Sequence, residues 1–283
     1  MGNDIKNRHR REGSKIFMKV YRIVLITFFL SLFTITAAEA SKKNDPKHYQ
    51  MPSSVMNIAK ENTYPNPTQD LPSLQPSEFT KDLLSTSKVK IENPDLIRML
   101  NETSINKTPF AIGLRATIYL GEWPLNYESS ETVPNWEYQK INTNYFDNRG
   151  GNSNYKIHYV QEMQKQIKGG LTAKIPGADD VQKMMMLTAA EKTKLPLSFS
   201  TTIGAGTKKG QVYNIPPQRL GYLYAYAPAV NEKGKVTYGE VFIVLKGMKR
   251  SIVVKNVTSQ GIGAWIPIQD HVSFAFVTSS EPK

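Results

Sequence analysis

The segment LGYLYAYAPAVNEKGKVTYGEVFIVL, residues Leu220–Leu245, is the most strand-like part of the chain. Its two ends, Leu220–Ala227 and Val236–Leu245, are rich in aromatic and β-branched residues, which favour strands. They flank Asn231–Gly234, whose residues NEKG are typical of turns, so the segment predicts a β-hairpin. Both faces of Val241–Leu245 are apolar, which predicts a central strand covered on both sides.

Three tyrosines alternate along the first strand and therefore share one face: Tyr222, Tyr224 and Tyr226. Exposed, this row together with Trp265 would form a stacking platform for sugar rings. Buried, it would be an aromatic cluster of an ordinary core. The residues between the tyrosines are also apolar, which favours burial. The four aromatic residues are kept as candidate binding residues.

Period-two alternation or strand-like composition indicates further strands at Phe110–Leu120, Trp136–Tyr145, Leu195–Ile203, Ser251–Lys255 and His271–Val277. Turn residues at Asp147–Asn152 predict that Trp136–Tyr145 forms a hairpin with Tyr155–Met163, with a helix as the alternative for the second arm.

Three short helices are predicted from residues at their ends. Ser77 would cap Glu78–Ser85, and Asn93-Pro94 combines a cap with a proline suited to the first helical position. Asp179-Asp180 would begin a third helix, which Pro196 ends. Strand–turn–strand order with three helices predicts a β-rich α+β fold with mainly antiparallel sheets, forming one domain over residues 77–283.

Residues 1–40 are predicted to be a signal peptide. A basic stretch precedes the apolar run Ile23–Thr36, and Ala38 and Ala40 are small residues at the positions that a signal peptidase inspects. As a helix the run spans about 21 Å, less than a hydrocarbon core of about 30 Å. Cleavage and export are therefore favoured, with an N-terminal membrane anchor as the alternative. A start at Met18 would give a conventionally short basic region.

Residues 41–76 are predicted to be an extended arm. They contain six prolines among Asn, Ser, Gln and Lys residues. Proline removes backbone donors and favours an extended conformation in the residue before it, so a long helix or a central strand is excluded here. The arm would lie over the folded body or tether it away from the membrane.

The residue types exclude several chemistries. The 283-residue chain has no cysteine, which excludes disulfides, thiolate metal sites, a Cys nucleophile and a lipoprotein anchor. The sequence contains no His-Glu-x-x-His, Gly-x-Ser-x-Gly or nucleotide-binding glycine motif. Asp179-Asp180 is better explained by a helix start than by a metal site. The sequence therefore predicts no cofactor, no metal and no catalytic residue.

The chain is basic, with 36 Lys+Arg against 24 Asp+Glu and a net charge of +12. Residues 1–40 hold seven of these cations and three of the acids, which leaves 29 minus 21, or +8, on the mature chain. No nucleic-acid-binding motif accompanies the charge, so a nucleic-acid partner is not predicted. An exported basic protein would meet anionic wall polymers or lipid headgroups, but a solvated surface that keeps the protein soluble is the favoured interpretation of the charge.

The loop Gly204–Gly210 combines glycines with Lys208 and Lys209. Two interpretations are open: an exposed hairpin loop, which is favoured, and a nest of backbone amides and lysines that binds an anion. The two lysines are kept as candidate binding residues.

Several long segments of the amino-acid sequence resemble one protein family. They are ENTYPNPTQDLPSLQPSEFTKDLL at Glu61–Leu84, KIENPDLIRMLNE at Lys90–Glu102, RLGYLYAYAPAVNEKGKVTYGEV at Arg219–Val241 and NVTSQGIGAWIPIQDHVSF at Asn256–Phe274. Over about residues 51–278 the chain resembles the YfkD-like family, exported proteins of Gram-positive spore-forming bacteria. The resemblance implies export and lineage, and it carries no catalytic residues.

These observations lead to two hypotheses of function. The first is an exported, non-enzymatic binding or structural module of the cell envelope, which contacts anionic wall polymers or another exported protein. The alternative is a hydrolase or transferase of envelope glycans whose carboxylates converge only in the fold. A cleft lined by Trp123, Trp136 or Trp265 with two facing carboxylates would indicate the alternative.

Overall fold

The computed structural model describes residues 50–67, 75–103 and 115–282. The predicted signal peptide, with Ala38, Ala40 and Met18, lies outside the described residues, as does the start of the strand predicted at Phe110. In the described ranges the chain is strand-rich, with antiparallel pairing throughout and three helices. The predicted β-rich α+β fold class is therefore confirmed.

Ten strands are present in the described ranges: β1 Val55–Asn57, β2 Arg115–Asp147, β3 Tyr155–Val160, β4 Lys165–Lys168, β5 Gly170–Leu171, β6 Ser200–Ile203, β7 Lys208–Ile215, β8 Leu220–Lys246, β9 Lys249–Pro267 and β10 His271–Ser279. The main sheet has the order β1-β10-β8-β9-β5, and β2 pairs with β8. Two smaller sheets are formed by β3 with β7 and by β4 with β6.

The hairpin predicted at Asn231–Gly234 is wrong, because β8 runs through it as one strand of 27 residues. These four residues pair with β2 on one side and with β9 on the other. Their backbone groups are thus used by two ladders, and this outweighs the local preference for a turn. The hairpin is found instead at the end of β8, where Gly247 has φ 59° and the chain returns as β9.

The pairing predicted for Tyr155–Met163 is also wrong. The turn at Asp147–Asn152 exists, but β2 continues along β8 and β3 pairs with β7. β3 and β2 are connected by a side chain and not by backbone pairing. Asn144 Oδ1 accepts from Val160 N at 3.1 Å, and Asn144 Nδ2 donates to Val160 O at 2.8 Å. Local turn chemistry therefore identified the turn but not the partner strand.

The three predicted helices are present in the structure. They are α1 Glu78–Ser85, α2 Pro94–Glu102 and α3 Ala178–Thr193. Ser77 Oγ accepts from Thr80 N at the start of α1, and Asn93 Oδ1 accepts from Asp95 N and Leu96 N at the start of α2. No helix of the described residues is long and apolar enough to cross a membrane.

Three hydrophobic clusters pack against β8 on alternate faces. Odd-numbered residues of its first part face the two small sheets: Leu223, Ala225 and Ala227 against Tyr159, Ile167 and Ile203. Even-numbered residues of its middle part face α3: Val230, Val236 and Tyr238 against Val181, Met184 and Met185. Odd-numbered residues of its last part face α1 and α2: Val241, Ile243 and Leu245 against Leu83, Leu96 and Leu100. The long strand β8 therefore contributes side chains to all three hydrophobic clusters.

The described part of the arm, residues 50–67, lies against this body. Val55–Asn57 forms β1 and pairs with His271–Ser273 of β10. Ile58 is fully buried in the cluster beneath β8. The arm residues that follow β1 make the candidate site.

Candidate functional site

A half-open cleft of about 460 Å³ lies where the arm meets the turn between β9 and β10. One wall belongs to the arm and the other to the segments before β6 and β10. The lining residues are Asn57, Ala59, Tyr64, Pro65, Asn66, Leu195, Pro196, Leu197, Gln269 and Asp270. The cleft thus combines amides and one carboxylate with aliphatic and aromatic surface.

Asp270 is the charged group of the cleft. It lies in the turn before β10 with φ 52°, in the left-handed region that Asp and Asn tolerate better than most residues. Its Oδ1 accepts from Asn62 Nδ2 at 2.9 Å and from Asn66 Nδ2 at 2.7 Å. Its Oδ2 has no hydrogen bond to the described residues, so one carboxylate oxygen is held and the other is available to a ligand.

The two arm asparagines also bind the backbone around β6. Asn66 accepts from Thr202 N at 2.8 Å, and both Nδ2 groups donate to Thr202 O at 2.9 Å. Asn62 Oδ1 accepts from Gly204 N at 3.0 Å. These side chains act as a strand edge would, and they fix the arm in place before any ligand binds.

Both walls of the cleft also carry apolar or aromatic side chains. Tyr64 is 42% exposed, and Pro65, Pro196 and Leu197 line the cleft with it. An exposed aromatic ring beside a carboxylate and amides can stack on the apolar face of a ligand while the polar groups bind its hydroxyl groups.

The tyrosine row is brought together, but Trp265 is not part of it. The ring centroid of Tyr222 lies 5.0 Å from that of Tyr145 and 6.1 Å from that of Tyr224. Trp265 pairs with Asn231, an odd-numbered residue of β8, and so lies on the other face, where it stacks on Tyr138 at 5.0 Å. Tyr222 is buried, whereas Tyr224 and Tyr226 are half-buried.

Lys208 and Lys209 are neighbours on β7, so their side chains point in opposite directions. Lys209 Nζ donates to Glu61 Oε1 at 2.7 Å and to Asn57 O at 2.8 Å, which ties β7 to the arm. Lys208 is exposed at the strand start. The two ammonium groups therefore do not converge on one anion.

Sequence comparison connects this fold to known proteins. The model of a family described as YfkD-like protein matches residues 52–283, which include every residue of the cleft. The chain belongs to the YfkD-like family. A relative from Bacillus subtilis (strain 168), named Uncharacterized protein YfkD, is 61% identical over 260 residues, which are 92% of this chain and 97% of the relative. The resemblance noted in the sequence is confirmed.

Elsewhere in this family member, two carboxylates do meet, at the starts of α2 and α3. Asp95 and Asp180 lie within hydrogen-bonding reach of each other. Lys183 Nζ binds Asp95 at 2.6 Å, and Asn93 Nδ2 donates to Asp180 at 3.0 Å. The pair is bound by its own neighbours and joins two helices. No group of three or more metal-binding side chains occurs in residues 50–67, 75–103 and 115–282.

The Asp95–Asp180 pair gives stability a defined pH dependence. Burial and Asp95 raise the pKa of Asp180 above its ordinary value of 3.8, so folding favours the protonated form and stability falls as pH rises through the raised pKa. The hydrogen bond from Lys183 lowers the pKa of Asp95, whose contribution is lost only as pH falls below 3.8. Asp180→Asn should therefore remove the fall in unfolding free energy that the wild-type protein shows as pH rises above 3.8.

Urea unfolding at several pH values measures this slope. Asp179→Asn is the matched control, because it removes an exposed carboxylate from the same helical turn. The proposed coupling is contradicted if both variants keep the wild-type slope.

The sequence did not identify the residues of the cleft. Asn62 and Asn66 lie in a proline-rich stretch for which the sequence predicts only an extended arm, and Asp270 belongs to no recognisable motif. The structure places His271 in the interior, with Nδ1 2.7 Å from Gln269 O. No local signal marks these residues, because their partners are more than one hundred positions away in the chain.

Proposed function

We propose that this protein is an exported, non-enzymatic binding module of the cell envelope, and that the Asp270 cleft binds a hydroxyl-rich wall glycan. The observation that carries the proposal is the composition of the cleft: one carboxylate with a free oxygen, amides, and an exposed tyrosine. Sugar hydroxyls donate to carboxylates, and sugar rings offer apolar faces to aromatic rings. The volume of about 460 Å³ is sufficient for a small oligosaccharide segment.

The number of carboxylates that line the cleft favours a binding function over glycoside hydrolysis. Glycoside hydrolysis ordinarily uses two carboxylates about 5–9.5 Å apart across the scissile bond. Asp270 is the one carboxylate among the described residues that line the cleft. Asp95 and Asp180 also lie close together, but they lie outside the cleft and are bound by Lys183 and Asn93. The cleft therefore has groups that hold a ligand and lacks a second acid to cleave it.

The charge supports a location at the envelope. The chain after residue 40 has a net charge of +8, and Gram-positive walls carry anionic polymers. A basic protein with a glycan-binding cleft would be retained by two interactions with different salt dependence. Charge retention weakens as salt rises, whereas hydrogen bonding and stacking in the cleft persist.

Tyr64→Ala is expected to weaken binding to purified wall glycan about tenfold, because it removes the stacking ring from the cleft. The measurement is co-sedimentation with wall material stripped of its anionic polymers, at high salt. Tyr155→Ala removes another tyrosine of equal exposure, 43% against 42%, and is the control. Wild-type binding by Tyr64→Ala, or no binding by the wild-type protein itself, would refute the proposal.

A further inference from the structure

The turn between β8 and β9 has an unusual tip. Met248 is 87% exposed, the largest exposed fraction of any large hydrophobic side chain in the described residues. The preceding Gly247 has φ 59°, so the turn is tight, and Met248 lies at its tip, at the end of the sheet formed by β2, β8 and β9. Nothing in the described part of the chain covers this side chain.

Cations surround the tip. Lys246 pairs with Lys249 across the turn and with Arg115 on β2, so three like charges lie side by side on three strands. Like charges directly opposite each other destabilise a sheet. None of the three forms an ion pair with an acid of the described residues. A polyanionic partner would relieve this repulsion.

A second group of apolar side chains lies further along the same strands, on the face opposite α1 and α2. Tyr119, Phe242 and Val253 pair in register across three strands, and Tyr119 and Val253 are 55% and 36% exposed. The rings of Tyr119 and Phe242 lie 5.0 Å apart, and Lys255 Nζ lies 4.9 Å from the Phe242 ring. This end of the sheet thus combines exposed apolar side chains with cations.

We propose that the hairpin tip Lys246–Lys249 docks on an anionic lipid surface. Met248 enters the headgroup region, and Arg115, Lys246 and Lys249 contact lipid phosphates. Charge alone would suit any polyanion, but an apolar side chain at the tip of the turn gains only where acyl chains are within reach. One apolar and one cationic signal together attach a protein to a membrane more firmly than either signal alone. This site is separate from the glycan cleft.

The absence of cysteine makes a direct test possible in the full-length protein. Met248→Cys carries an environment-sensitive fluorophore, and Met163→Cys, at a position 77% exposed, is the matched control. With vesicles of phosphatidylcholine and phosphatidylglycerol, a blue shift and a several-fold rise in emission are expected at position 248 and not at position 163. If the predicted signal peptide is retained, it binds both labelled proteins to the vesicles equally. A difference in emission between positions 248 and 163 therefore measures insertion of the hairpin tip.

Charge reversal tests the contribution of the cations around Met248. Lys246→Glu with Lys249→Glu in the labelled Met248→Cys protein should weaken vesicle binding about tenfold or more, and Lys156→Glu with Lys168→Glu should not. Equal emission changes at positions 248 and 163, or an equal response to vesicles of phosphatidylcholine alone, would overturn the proposal. The same spectral shift with soluble polyphosphate would overturn it in favour of a soluble polyanion.

Discussion

Replacing Tyr127 with Phe is expected to lower the free energy of unfolding by about 2–3 kcal/mol, because it leaves a buried carboxylate without one of its donors. Glu232 is 0% exposed in the middle of β8. Tyr127 donates to its Oε1 at 2.8 Å, and Thr132 donates to its Oε2 at 2.6 Å. Burial and the charge of Glu232 raise the pKa of Tyr127, so the phenol stays protonated and remains a donor.

The donors form a directed chain to the surface. The hydroxyl proton of Thr132 goes to Glu232, so Ser129 must donate to Thr132 across their 3.2 Å contact. Lys192 Nζ in turn donates to Ser129 Oγ at 2.7 Å. An exposed ammonium thus compensates a buried carboxylate through two hydroxyl groups, and each bond polarises the next.

This chain predicts effects that decrease from the carboxylate outwards. Thr132→Val should cost about as much as Tyr127→Phe, whereas Lys192→Met should cost less than about 1 kcal/mol because the lysine is exposed. Urea unfolding with an unchanged slope measures each loss. Tyr155→Phe, which removes a hydroxyl from an exposed tyrosine, should change stability by less than about 0.5 kcal/mol. A loss for Tyr127→Phe no larger than that of this control would show that Glu232 does not depend on its donors.

Glu232 also explains why the hairpin predicted from the sequence is absent. Asn231–Gly234 has turn composition, but the acid in it is buried and its donors lie 105 and 100 residues away. A local pattern contains no information about such partners. The helices were predictable for the opposite reason, since Ser77 and Asn93 bind backbone groups only two or three residues ahead.

The geometry of the candidate site likewise depends on partners that are distant in the sequence. Alternation predicted the strand that carries Tyr222, Tyr224 and Tyr226, but only the ladder shows that Trp265 lies on its other face. The cleft depends on Asn62, which is 208 residues from Asp270 in the chain. Proline content predicted an extended chain here, whereas Glu61 N and Asn62 N both donate to Ile58 O and form a turn. The side chains that bind this segment to the body resemble those of any polar linker.

Gly204→Ala is expected to detach the arm from the body and to abolish ligand binding in the cleft. A Cβ at residue 204 would collide with Thr63 Oγ1 and lie 2.7 Å from Tyr64 N, so the arm backbone must move. That movement breaks the bond from Gly204 N to Asn62 Oδ1 and displaces Tyr64 from the cleft wall. Overpacking of this kind costs about 1–3 kcal/mol, and the lost arm hydrogen bonds bring the expected loss to about 3 kcal/mol.

Limited proteolysis of residues 50–67 separates this effect from global unfolding. In the wild-type protein the arm should be protected, since Asn62 and Asn66 hold it through bonds of 2.7–3.0 Å. Gly210→Ala is the matched control, because a Cβ there meets nothing within 4 Å. Early cleavage in Gly204→Ala alone, with β8 still protected, would show that the cleft exists only while the arm is docked. If the arm of Gly204→Ala resists the protease as well as that of Gly210→Ala, arm docking does not depend on the close approach at Gly204.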